Sequence, residues 1–313
     1  MSRVLVTGAA GFIGSHTTEQ LLAAGHTVCG VDNFRTGRAE NLAPAACHPR
    51  FTFQELDVAD APAFDTLAAR FAPEAIVHLA ALVSVPESIA DPALNYRLNL
   101  HATPIVAEAA RKHGARRIVF ASSAAVYGDV AETPTAETAV KNPISPYGAA
   151  KLASEIVLLG HAGAFGLTVR SQRYFNVYGP RQDPRSPYSG VISIFCQKLA
   201  AGEAPVIFGD GGQTRDFISV HDVARANVIA ATRRDVQSGP ANICTGKAAS
   251  LNELVAILRR QFPGAPAPVH GPARDGDIRH SLGDPGAAAN ELGFSPRVSL
   301  ADGLAELVRA GWG

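Results

Sequence analysis

The chain has 313 residues, 47% of them hydrophobic, enough to bury a full core, and the expected division is one large α/β unit with a smaller lobe. Twenty-eight Lys and Arg balance twenty-eight Asp and Glu, so no global field draws the protein to nucleic acid or to a membrane surface. Four widely separated cysteines without a Cys-x-x-Cys pairing, and ten histidines without metal-ligand spacing, point away from a disulfide framework or a metal centre and toward reduced, mostly buried thiols in a cytoplasmic protein.

The first element, RVLVT (3–7), follows no charged leader, and no later run approaches eighteen apolar residues, so neither a signal peptide nor a membrane span is expected. TGAAGFIG then puts Gly8, Gly11 and Gly14 at the turn into a helix, FIGSHTTEQLLAAG. Glycine lets backbone approach a pyrophosphate closely, and the helix N-terminus offers unpaired N–H groups and a positive dipole end. The second strand, TVCGVD (27–32), ends in Asp32, eighteen positions after Gly14. A carboxylate there accepts hydrogen bonds from a ribose diol and repels a 2′-phosphate, which favours NAD over NADP. Arg35 and Arg38 leave a phosphate-accepting alternative open, and a plain turn aspartate is the alternative for Asp32.

Strands follow at FTFQELD (51–57), AIVHLA (75–80), RRIVFAS (116–122) and LTVRSQR (167–173), separated by helical patterns such as PALNYRLNLHATPIVAEAARKHG. Asp57 and Val58, ending the third strand, are placed to touch adenine. This alternation predicts repeated βαβ units in a doubly wound, largely parallel Rossmann sheet over residues 1–176. The basic run at 111–117 reads as a solvated helix end. After Asn176 the texture changes to the Pro, Gly and Arg of YGPRQDPRSPYSG, so 177–313 is expected to form a smaller C-terminal lobe. Within it, the helical SVHDVARANVIAATRR belongs to a segment, 219–245, that returns to the sheet.

In SPYGAAK (145–151), Pro146 can start a helix and set Tyr147 and Lys151, four apart, on one face. An isolated phenol titrates near about 10, and a neighbouring ammonium and an oxidised nicotinamide both favour phenolate, giving Tyr147 the character of a base while NAD accepts hydride. With the glycine turn, Ser122 and Ser123 at the end of the fifth strand, and Asn99 on the preceding helix, the chain resembles the extended short-chain dehydrogenase/reductase family over nearly its whole length. That resemblance implies Ser123 bonded to the reacting oxygen, with Ser122 as its substitute. It also implies Tyr147 as general base, and Lys151 on the nicotinamide ribose. NAD contacts are implied at Phe12, Ile13, Asp32, Asn33, Asp57, Val58, Leu79, Ala80, Ala81, Asn99 and Phe175.

In family members that dehydrate or decarboxylate sugars, acidic residues follow the active-site Ser or Thr; here Ala124 and Ala125 stand in those places. Oxidation and reduction at one carbon remain, which is epimerisation. RYFNVYGPRQ, GDGGQTRDFI and RDGDIRH resemble the nucleotide-sugar 4-epimerases. By that resemblance Asn176, Arg215, Arg274 and Asp277 hold the diphosphate or the uridine ribose, Val206 and Phe208 grip uracil, and Ser84 lies beside the sugar. Arginine suits a diphosphate because its planar fork makes paired charge-assisted bonds. Ser281, four residues after Asp277, is small where galactose-restricted members carry a bulky tyrosine. A UDP-GlcNAc/UDP-GalNAc epimerase is therefore expected, with UDP-Glc/UDP-Gal as a further pair; a loop serine without a gating role is the alternative.

Two rivals stand beside this reading. A UDP-glucuronate 4-epimerase would need a cation on the sugar carboxylate, which Arg185 could supply. A non-catalytic dinucleotide sensor would not need Ser, Tyr and Lys together. The resemblance also implies a homodimer, built by pairing the helix before Arg116 and the one carrying Tyr147 into a four-helix bundle.

Overall fold

In a computed structural model of the protein, residues 1–130, 132–182, 190–273 and 278–311 are described. The alternating apolar strands and helices form a seven-stranded sheet in the order β11-β6-β5-β4-β1-β2-β3, every neighbour pair parallel. Its strands are β1 (Arg3–Thr7), β2 (Thr27–Asp32), β3 (Phe51–Glu55), β4 (Ala75–His78), β5 (Arg117–Ser123), β6 (Thr168–Tyr174) and β11 (Gly239–Ile243). Period-two alternation sorts each strand between two faces. Val4 and Val6 join one core with Val28, Val77 and Val119, whereas Leu5 joins the other with Val31, Ile76, Ile118 and Val169.

The first core is covered by α1 (Phe12–Ala23), with the short α2 (Ala43–Ala46) at its edge, and by α9 (Val220–Thr232). The second is covered by α3 (Ala61–Phe71), α6 (Ala102–His113) and α7 (Pro146–Phe165). α9 packs on α1, and β11 extends the sheet beside β6. The later helix α11 (Gly286–Leu292) also packs on this side through Ala288, Leu292 and nearby Phe294. α1 buries Ser15, Thr17 and Thr18 rather than an apolar stripe. Small hydroxyl side chains let α9 approach closely, and two of them are served locally: Ser15 Oγ donates to the Phe12 carbonyl at 3.2 Å, and Thr17 Oγ1 donates to the Ile13 carbonyl at 2.9 Å and accepts from Asn227 Nδ2 at 3.1 Å.

The segment read as one helix from Pro92 is broken into three: α5 (Pro92–Asn95), a π-helical turn (Tyr96–His101) and α6. The carbonyl of Asn99 accepts from the Thr103 and Ser154 hydroxyls at 2.9 and 3.0 Å. Such side-chain competition for a backbone carbonyl locally widens the helical ladder.

The smaller lobe has its own core of Phe195, Ile207, Leu254, Leu258 and Leu304. It comprises α8 (Val191–Ala200), α10 (Leu251–Arg259), α12 (Leu300–Gly311) and short strand pairs. β7 (Asn176–Tyr178) pairs with β10 (Phe217–Ser219), β8 (Val206–Phe208) with β13 (Val269–Gly271), and β9 (Thr214–Arg215) lies between β12 (Ala249–Ser250) and β14 (His280–Ser281). Strand order reverses between β1 and β4, the switch point where parallel sheets open a crevice at their carboxyl ends. Among the described residues no helix is long and apolar enough to cross a membrane.

Candidate active site

A cleft of about 1000 Å³ opens at this switch point. Its floor is the glycine turn. Gly8 has φ +70°, and a Cβ there would lie 2.8 Å from the Ala80 nitrogen; a Cβ on Gly14 would lie 1.9 Å from the Gly8 carbonyl oxygen. Only hydrogen fits at either position, so the turn seats tightly against the helix that follows. Gly11 caps α1 without any side-chain bond. The N–H groups of Phe12, Ile13 and Gly14 therefore have no intrahelical partner and border the cleft, the arrangement that receives an anion.

Asp32 ends β2 almost fully buried; its Oδ2 accepts from the Ala10 N–H at 3.0 Å and its Oδ1 from the Phe34 N–H at 2.8 Å. The Asn33 and Gly11 backbone also bear on this carboxylate, which borders the cleft at the place that suits a ribose diol. Burial raises its pKa, opposed by these backbone bonds. Gly37 faces the same carboxylate, since a Cβ there would sit 2.8 Å from Asp32 Oδ1. Sequence reasoning missed Gly37; the signal was the Thr-Gly pair after Asp32. Asn33, Asp57, Val58, Leu79, Ala80 and Ala81 border the cleft farther along.

The chemical end is assembled by packing. Ser123 ends β5, and its Oγ accepts from the Ala125 N–H at 3.1 Å, starting a 3-10 turn over Ala124–Val126. Ser145 caps α7 by accepting from the Gly148 N–H at 3.1 Å, with Pro146 in the first turn. A Cβ on Gly148 would lie 2.5 Å from the Ala125 carbonyl oxygen, so the start of α7 rests directly on that 3-10 turn. This contact sets Tyr147 on the same cleft wall as Ser123. The Tyr147 N–H donates to Ser88 Oγ at 3.2 Å, which ties it to the loop after β4.

Lys151 is buried beneath the phenol. Its Nζ donates to the Ala121 carbonyl at 2.8 Å and lies 5.8 Å from the Tyr147 ring centroid. The expectation that this ammonium makes the phenol acidic is not met by the protein groups alone. Desolvation raises the Tyr147 pKa, with Ser123 the opposing partner. Desolvation also depresses Lys151 to about 7, with Glu155 pulling the other way. Glu155 is itself buried, receives the Ser122 hydroxyl, and holds Arg173 through a two-pronged pair at 3.0 and 2.7 Å. Ser122 is thus anchored to Glu155, while Ser123 stands near the phenol, and both border the cleft.

Two expected contacts lie elsewhere. Asn99 is buried behind the cleft, its Oδ1 accepting from the Leu82 N–H and its Nδ2 donating to the Leu82 carbonyl, each at 2.9 Å. It pins the loop after β4, while Leu98 and Ala102 border the cleft from that element. Ser84 is buried as the cap of α4 (Val85–Ala90), accepting from the Glu87 N–H at 3.0 Å. A helix start inside VSVPES, with proline just after the serine, was the signal for that role.

On the lobe side, Phe175 borders the cleft beside Gly283, whose hypothetical Cβ would fall 2.7 Å from its ring. Asn176 lies on β7, with Nδ2 donating to the Asp216 carbonyl at 3.3 Å. Val206 and Phe208 lie on β8, the latter's ring over Gly271. Arg215 and Ser281, 66 residues apart in sequence, sit in register as neighbours on β9 and β14. Arg274, Asp277 and Arg185 lie outside the described residues. Arg181 and Gln182 also border the cleft, unanticipated from sequence, with Arg181 held in a left-handed conformation (φ +70°).

A glycine-floored, anion-receptive cleft at the switch point of a parallel sheet, with an acidic strand end, defines a dinucleotide-binding protein of the Rossmann class. The model of the NAD dependent epimerase/dehydratase family matches residues 4–244; the chain belongs to that family, and NAD is its cofactor. It is 42% identical, over 98% of its length and 97% of the relative, to a UDP-glucose 4-epimerase of Mycolicibacterium smegmatis. Among solved structures it is similar to the UDP-glucose 4-epimerase of Thermotoga maritima with UDP-glucose, with 38% identity, 98% of each chain covered and a TM-score of 0.91. It is also similar to the UDP-N-acetylglucosamine 4-epimerase of Methanobrevibacter ruminantium in complex with UDP-N-acetylmuramic acid, with 35% identity, 99% and 97% covered and a TM-score of 0.93.

Proposed function

We propose that the protein is an NAD-dependent 4-epimerase of UDP-sugars whose main reaction interconverts UDP-GlcNAc and UDP-GalNAc, with UDP-Glc and UDP-Gal as a second pair. The observation that carries the reaction class is that Ser123, Tyr147 and Lys151 border one cleft, with Lys151 close under the Tyr147 ring and only Ala124 and Ala125 next after Ser123 in the chain. No carboxyl group stands at those two places to eliminate a hydroxyl, so the residues suit proton transfer at one oxygen.

In this reading Tyr147 takes the proton from the hydroxyl on sugar carbon 4 and later returns one to the same oxygen. Ser123 hydrogen-bonds that oxygen as its charge changes. NAD, when bound, supplies the hydride acceptor and donor and, while oxidised, a positive charge that favours the phenolate. Gly8, Gly11, Phe12, Ile13 and Gly14 would seat its pyrophosphate, Asp32 its adenosine ribose and Lys151 its nicotinamide ribose. Between the two proton transfers the 4-keto sugar must turn over. Asn176, Arg215, Arg274 and Asp277 would hold the diphosphate and uridine ribose throughout, with Val206 and Phe208 against uracil.

Ser281, small and in register with Arg215, supports the acetylated pair, because an N-acetyl group needs room beside the held diphosphate. The similarity to both a glucose and an N-acetylglucosamine enzyme fits a pocket that takes either. Purified protein incubated with UDP-GlcNAc and no added reductant should form UDP-GalNAc, with UDP-Glc and UDP-glucuronate in parallel reactions. Conversion of UDP-glucuronate alone would replace this reading with the acid-sugar one.

A homodimer through α6 and α7 is part of the proposal. Ile156, Leu159 and Phe165 are exposed on α7, 64%, 39% and 51% respectively, an apolar surface that a second copy would cover. Light scattering on the eluting protein should give twice the 32.6 kDa chain mass.

A further inference from the structure

Arg35 and Glu87 come from different parts of the chain and border the same cleft. Arg35 lies in the segment after β2, three residues past Asp32, and its own N–H is held by Asn33 Oδ1 at 3.1 Å. Glu87 lies in the first turn of α4, the helix that follows the loop after β4. The Arg35 guanidinium donates to the Glu87 carboxylate, joining the two segments 52 residues apart. The side chains are 32% and 28% exposed, so the pair sits at the rim of the cleft, half out of water.

Both segments have fixed footings. The segment after β2 is tied to the glycine turn, with Arg38 N–H and Asn41 Nδ2 donating to the Ala10 carbonyl at 3.0 and 2.8 Å. α4 is capped by Ser84, and Ser88 beside Glu87 accepts the Tyr147 N–H. An ion pair between two footed segments bridges the rim of the cleft.

We propose that Arg35 and Glu87 form a clasp that positions the bound dinucleotide and holds it through turnover. The inference rests on the reading above, in which the cofactor must be oxidised and reduced again during one visit of the sugar. A cofactor that left between the two transfers would strand the 4-keto sugar. The same pairing engages the guanidinium that could otherwise receive a 2′-phosphate, so the clasp and the choice of NAD are met by one contact.

The test follows release of NAD from the loaded protein with no sugar present, so its outcome does not depend on which sugar is turned over, or on whether any is. Displacement by excess fluorescent etheno-NAD is followed by stopped flow at low and high salt for wild type, Arg35→Gln, Glu87→Gln and the exchange Arg35→Glu/Glu87→Arg. Each single variant should release NAD about two- to fivefold faster than wild type, the range of a partly exposed ion pair. Added salt should speed release from wild type more than from either single variant, and the exchanged pair should recover slow release. Single variants releasing NAD at the wild-type rate, or an exchanged pair as fast as the singles, would overturn the clasp.

Discussion

His78 ends β4 beneath the floor of the cleft, 2% exposed, with Nδ1 2.8 Å from the Thr7 hydroxyl. That hydroxyl oxygen already accepts from the Leu79 and Ala80 N–H groups, at 3.1 and 3.2 Å, so its proton points to Nδ1 and the ring must stay neutral there. Burial, helped by the Lys151 charge, lowers the His78 pKa from the ordinary 6.5 to about 3. The unfolded chain therefore takes up this proton first as pH falls. The stability linked to the neutral ring is intact above about 6.5 and is lost progressively toward about 3.

At pH 5, roughly 1.5 pH units below the ordinary value at about 1.4 kcal/mol each, the loss is about 2 kcal/mol. His16, lowered to about 4 by burial, adds a similar loss, and about 4 kcal/mol is a large part of the 5–15 kcal/mol typical of folded domains. Urea unfolding followed by circular dichroism at pH 7 and pH 5 checks this. His78→Asn, which keeps a hydrogen-bonding side chain without the titration, should lose about 2 kcal/mol less than wild type between the two pH values. Equal losses in both proteins would refute the reasoning.

Other outcomes follow from the same geometry. Gly14→Ala must push the Gly8 carbonyl away from a 1.9 Å contact, which should cost about 1–3 kcal/mol of stability and weaken NAD binding, read by melting with and without NAD. Tyr147→Phe should lower kcat by about 100-fold or more while NAD remains bound, and retained turnover would remove the phenol from the chemistry. Ser281→Tyr should reduce kcat/KM for UDP-GlcNAc by about tenfold or more relative to UDP-Glc, measured as initial epimerisation rates on both sugars.

Local regularities made much of this protein legible in its sequence. β1, β2, β4 and β5 announced themselves because a strand buried on both faces is apolar along most of its length, and the glycine turn because no other residue fits a backbone that approaches so closely. The paired Tyr147 and Lys151 were readable because four residues make nearly one helical turn. Asn99 and Ser84 were read as ligand contacts, yet both spend their polar atoms on the chain itself. Their partners, Leu82 and the start of α4, are chosen by where the loop after β4 comes to rest.

The sequence by itself determined six of the strands of a parallel sheet and where a dinucleotide can meet it, since period and glycine placement depend only on neighbours along the chain, but not the order in which those strands pair. Only the tertiary structure decided the electrical character of the site. It buried Lys151 until its ammonium became marginal and set Glu155 and Arg173 beneath Ser122. It also brought Ser281 alongside Arg215 and Glu87 alongside Arg35. Desolvation and charge pairing act through space, and distance through space is what a linear order of residues does not carry.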